Sequence, residues 1–109
     1  MSYDISLIDQ STNQPVKVDR FEEGGTYAIG GIDYAELNVT YNYSKLFPFK
    51  ILNNKKAVDV DPTLKLFIDY YGIEKDKDYW QPTEGNVGYA INILYKWAIQ
   101  YPDAIFKVE

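Results

Sequence analysis

Residues 37–44 read "LNVTYNYS", with Leu37, Val39, Tyr41 and Tyr43 at alternate positions and Asn38, Thr40, Asn42 and Ser44 between them. Successive side chains on a β-strand point to opposite faces, so the alternation predicts a strand with one apolar or aromatic face and one row of amides and hydroxyls. It is the most regular alternation in the chain, and it reaches back to Tyr34, which adds Glu36 to the polar row. Asn is a poor strand former, and a face with only water to meet more often carries Thr, Lys, Arg or Glu. The row is therefore a candidate binding face; the competing reading is that Asn38 and Asn42 bond to neighbouring loops. Both asparagines also begin N-x-[ST] sequons, taken as chance matches because no secretion signal accompanies them.

Towards the N-terminus, "YDISLID" alternates with Ile5 and Leu7 on one side and Asp4, Ser6 and Ile8 on the other. "QSTNQP" reads as a turn and "VKVDRF" as a returning strand, so residues 3–20 predict a hairpin. In "GGTYAIGG", the pairs Gly24-Gly25 and Gly30-Gly31 bracket a short strand over Thr26 to Ile29. Their spacing fits neither dinucleotide-binding nor P-loop patterns.

Towards the C-terminus, residues 45–60 mix aromatic residues with Pro48 and the turn signal Asn53-Asn54, and Phe47 and Phe49 look exposed. Asp61 and Pro62 predict the N-cap and first residue of a helix whose stripe is Leu64, Phe67, Ile68 and Tyr71, ended by Gly72. A second helix is predicted from an N-cap at Thr83 to about Tyr101, before Pro102. Its stripe is Val87, Ala90, Ile91, Leu94, Trp97, Ala98 and Tyr101, and "AIFKVE" supplies a last strand. Strands first and helices after predict an α+β fold, a small antiparallel sheet with two helices on one face, in a single domain over residues 1–109.

Composition narrows the chemistry. With no Cys and no His, thiolate catalysis, disulfides, zinc ribbons and the usual general base are all removed. No cofactor is called for, and a metal would need an all-oxygen site. A net charge of -5 argues against direct duplex binding. No apolar run is long enough for a membrane span and no signal peptide is evident, which predicts a cytoplasmic protein without a membrane partner. Tyrosine stands out, with 11 residues; it offers a rigid contact surface with a hydrogen-bonding tip.

Tyr3 to Leu7 followed by Asp9, Gly24 to Tyr27 with Gly30-Gly31, Leu37 to Ser44, Asp78-Tyr79-Trp80 with Pro82 to Asn86, and Pro102-Asp103 form a combination spread over most of the chain. In these stretches the chain resembles a family of small proteins encoded by bacteriophages and prophages. It departs from that pattern in residues 45–60, which are shorter here, and at Ala104 to Phe106, which replace Gly and Trp. The resemblance implies a phage setting, hence the host cytoplasm, and carries no activity.

The polar residues hardest to explain structurally lie in the Asn-rich strand and in "DYWQPTEGN", and we expect the two to converge. Asn38, Thr40 and Asn42 would supply direction, Tyr79 and Trp80 stacking surface, and Glu84 and Asn86 a place at a helix N-terminus, which presents free N–H groups. A structural reading competes here too, with Thr83 capping the helix and Trp80 stapling it to the sheet. The expected function is a non-enzymatic accessory binding protein, with counter-defence among its roles, that binds a host protein or sequesters a small polar ligand such as a nucleotide. One alternative is a virion or self-assembling protein, a homo-oligomer built through Phe47, Phe49 and a free strand edge. Another is a hydrolase using carboxylates among Asp33, Glu36 and Glu84.

Overall fold

Alternation in the first strand is realised in full: β1 (Ser2–Ile8) buries Ile5 and Leu7 and turns Asp4, Ser6 and Ile8 to the other side. The computed structural model describes residues 1–19, 34–78 and 80–109 and the backbone of residues 26–28. The remaining elements are β2 (Thr26–Ala28), β3 (Glu36–Thr40), two single 3-10 turns (Tyr41–Lys45 and Phe49–Leu52), α1 (Ala57–Tyr71), α2 (Glu84–Gln100) and β4 (Ile105–Val108). The strands form one antiparallel sheet in the order β2-β3-β1-β4. The fold is α+β, as expected.

The sheet's inner face contributes Ile5, Leu7, Leu37, Val39, Phe106 and Val108 to one buried cluster, which α2 completes with Val87, Ala90, Ile91, Leu94 and Trp97. Both helices pack against each other. Burial on α2 extends beyond its predicted stripe to Asn86, Gly88 and Ile93. A helix covered on more than one side loses the simple two-faced pattern.

Several local expectations are corrected. The long strand from Tyr34 to Ser44 stops at Thr40. Thr40 Oγ1 accepts the Asn42 N–H at 3.3 Å and caps the 3-10 turn that follows. Side-chain oxygens of this kind compete with the ladder for backbone donors. In the hairpin region the turn forms around Asp9, whose carboxylate accepts from both the backbone N–H and the hydroxyl of Ser11. These two bonds hold the Asp9 pKa below its ordinary value. The described part of the returning segment makes only isolated bridges, Ile8 to Pro15 and Lys17 to Tyr34. Its end at Arg20 and Phe21, the glycine pairs at 24–25 and 30–31, and Ile29 lie outside the described residues.

Phe47 and Phe49 are fully buried, contrary to expectation. Pro48 between them lets both rings turn inward, where they meet edge-on at 4.9 Å and Phe47 also meets Phe67 at 4.9 Å. Burying such a ring stabilises the fold by about 2 kcal/mol.

The first helix begins earlier than its apparent cap, with Lys56 at the N-cap position and Pro62 inside. The C-terminal segment replaces the missing cap: the N–H groups of Ala57 and Val58 donate to the carbonyls of Ala104 and Pro102 at 2.8 and 2.9 Å. Free N–H groups at a helix start need acceptors, and any carbonyl in range will serve. Gly72 closes α1 with φ of 75°, a conformation open to glycine. Thr83 caps α2 as expected, accepting the Asn86 N–H at 3.1 Å.

The same C-terminal segment settles one sheet edge. Along β4, Phe106 exchanges backbone bonds with Lys55 and Asn54, and the Val108 N–H donates to Asn53 Oδ1 at 2.9 Å. Asn54 reaches this position with φ of 65°, so the predicted Asn-Asn turn plugs the strand edge.

Candidate functional site

Between α1 and α2 the described residues 72–78 and 80–83 form no helix or strand, yet the backbone of Asp76, Asp78, Trp80 and Gln81 is held by side chains. Asp76 Oδ1 accepts the Asp78 N–H at 2.9 Å, and Asp78 Oδ1 accepts the Trp80 N–H at 3.0 Å. These are turns in which a short carboxylate mimics a backbone acceptor. At the centre sits Asn86, fully buried on the first turn of α2. Its Oδ1 accepts the Asp76 N–H at 2.8 Å, and its Nδ2 donates to the carbonyls of Asp78 and Gln81 at 3.1 and 2.9 Å. Both amide hydrogens are therefore committed to the loop.

Two glycines allow the loop to lie this close. A Cβ on Gly85 would stand 1.8 Å from the Glu74 carbonyl oxygen, and one on Gly88 would stand 1.7 Å from that of Gly72. One helical turn apart, these residues form a bare strip on which the loop backbone rests. The stretch from Thr83 to Gly88 is thus a docking device for residues 72–76. Sequence reading singled out Asn86 and missed Gly88, although two glycines at i and i+3 in a helix, each costing about 1 kcal/mol of propensity, signal close backbone approach.

The Asn-rich stretch reaches this loop through one residue. Asn42 Nδ2 donates to the Trp80 carbonyl at 3.1 Å. Nearby, the buried Tyr43 has its phenol pKa pushed up, first by burial and then by the charge of Asp78. On the other side of the same turn, the Tyr71 hydroxyl donates to the Leu46 carbonyl at 2.8 Å. Burial, then Glu84 and Tyr70, raise the Tyr71 pKa.

The predicted site residues therefore divide. Asn42 and Trp80 are in direct contact, and Asn86 sets the backbone on both sides of Trp80 through Asp78 and Gln81. Thr40 is buried and spends its hydroxyl on the cap below Asn42. Asn38 is also buried; it lies on the sheet's outer face, opposite Asp4, and donates to Ser2 Oγ and Asp4 Oδ1, both at 2.7 Å. The row does not form one face, because the chain leaves the strand between Thr40 and Asn42. Tyr79 lies outside the described residues, as does Asp33.

Glu84 is exposed at the start of α2 beside an open hollow of about 510 Å³ lined by Tyr71, Gly72, Glu74, Lys75, Asp76 and Thr83. Three carboxylates against one lysine give this helix end a negative rim. Glu36 belongs to a different hollow, with Asp4 and Glu109, so it and Glu84 are not brought together. Among the described residues, no group of three or more acids is placed to hold a metal ion, and no helix is long and apolar enough to cross a membrane.

What remains at the surface is aromatic. Trp80 is 50% exposed and Tyr41 38% exposed. Tyr41 leans on Tyr3 with ring centroids 4.4 Å apart. Comparison with known proteins adds no relative: no family model matches the chain, and neither does any curated protein or solved structure.

Proposed function

We propose that the chain is a non-enzymatic accessory binding module of phage type that engages a host protein, with Trp80 as the anchor. The observation that carries this reading is the half-exposed indole on a backbone fixed at both ends, its N–H bonded to Asp78 and its carbonyl to Asn42. Large aromatic side chains on ordered backbone dominate protein interfaces, because their contact area is presented with little entropy left to lose. The phage setting comes from the resemblance in sequence.

Protein is favoured over a small anion as the partner. The open helix end beside Glu84 is ringed by Glu74 and Asp76, and an anion there would meet like charge. The Asn86 amide, which a nucleotide base would need, is occupied inside the loop. The burial of Phe47 and Phe49 in the core and the cover over the β4 edge favour this reading over assembly through those two rings.

Native mass spectrometry of the protein purified from lysogenic or infected host cells tests the reading. A co-purifying protein that is retained by the wild type and lost with Trp80→Ala is the expected result. A bound small molecule, or a protein partner indifferent to Trp80→Ala, overturns it.

A further inference from the structure

The outer face of α1 carries a second apolar feature, unrelated to the core stripe. Val58, Pro62, Leu66 and Tyr70 recur at intervals of four residues and all face solvent; Leu66 is 67% and Tyr70 79% exposed. Four-residue spacing makes one continuous ridge along a helix, about 18 Å from end to end at 1.5 Å per residue. Beside its C-terminal half, Leu66, Phe67, Tyr70 and Tyr71 line an apolar hollow of about 290 Å³. The hollow has a firm floor, since Phe67 packs on buried Phe47 and Tyr71 is bonded to Leu46.

Charge indicates what fits there. The helix holds Asp59, Asp61 and Asp69 against one lysine, Lys65, which is already paired with Asp69 at 2.7 Å. Asp59 and Asp61 enter no salt bridge among the described residues. A second copy laid ridge to ridge would bring Asp59 and Asp61 against their own counterparts if parallel, and Asp59 against Asp69 if antiparallel, so like charges meet in either arrangement. A helix with an apolar stripe and basic flanks would match both the ridge and its charge.

We propose that the outer face of α1 is a docking site for a basic amphipathic helix of a partner protein, with Leu66 and Tyr70 as contact residues and Asp59 and Asp61 as charge partners. The site is separate from the Trp80 anchor and does not depend on it.

The test uses the whole chain, labelled with 15N, titrated with a 14-residue Leu/Lys peptide patterned as an amphipathic helix and with a scrambled peptide of the same composition. Amide shifts should follow residues 58–73 for the patterned peptide. Affinity should fall about tenfold with Leu66→Ser or Tyr70→Ser, both exposed and compatible with folding, and about threefold with Asp59→Asn. Raising salt should weaken binding, and Trp80→Ala should leave it unchanged. Equal shifts with the scrambled peptide, no shifts on α1, or a loss with Trp80→Ala as large as with Tyr70→Ser overturns the proposal. So does a dimer in sedimentation that Leu66→Ser abolishes, because the face would then serve a second copy.

Discussion

Asn86 and Asn42 both bond to the Trp80 loop and end in different states. Asn86 is fully buried and makes three bonds to loop backbone. Asn42 is exposed and makes a single side-chain bond to that loop, to the carbonyl of Trp80. The same side chain thus builds the loop from within in one region and trims it from outside in the other. An unmet hydrogen bond is costly only where water cannot replace the lost partner, so the two residues differ in weight although their chemistry is identical.

The largest effect should come from breaking the inner side. Asn86→Ala leaves the Asp76 N–H and the Asp78 and Gln81 carbonyls without their partner, and urea unfolding should show a loss of about 3 kcal/mol. Next, Gly88→Ala should destabilise by about 2 kcal/mol, because the added methyl meets the Gly72 carbonyl, even though Ala is the better helix former. Gly72→Ala sharpens that result: open space surrounds the new methyl, so only the backbone conformation, φ 75° with ψ -176°, is penalised, by about 1.5 kcal/mol. Smallest is Asn42→Ala, about 0.5 kcal/mol in unfolding, with hydrogen exchange of the loop amides rising more clearly than stability falls.

A pH series probes the seam between the two regions. Tyr43 and Tyr71 both have pKa values raised in the folded state, so their stabilising effect is complete below the ordinary tyrosine value of 10.0. Above it the unfolded chain ionises first and stability falls as pH rises. Urea midpoints measured from pH 8 to 11 should drop above pH 10, and Tyr43→Phe should flatten part of that drop while Tyr71 and the Asp69-paired Lys65, whose pKa is also raised, keep the remainder.

Much of this architecture was legible in the chain. The period-2 pattern of residues 3–8, the stripe of α2, the Thr83 cap and the Gly72 stop all rest on local rules, and each was realised. The failures have a common cause. Phe47 and Phe49 looked exposed because no periodicity surrounds Pro48, and α1 started before its apparent cap because carbonyls from residues 102 and 104 served instead. Likewise, Asn38 and Asn42 read as one row because alternation does not reveal where a strand ends.

Local pattern and composition determined by themselves the α+β class, the helix with its cap, and the removal of thiol and imidazole chemistry. Whether a polar side chain faces a partner or its own backbone was decided only by tertiary structure. Asn86 became internal when Gly85 and Gly88 let the loop settle against α2, and Trp80 stayed half outside on the backbone so fixed. Hydrogen-bonding capacity is a property of the residue, but its use depends on which distant groups the fold brings within 3 Å.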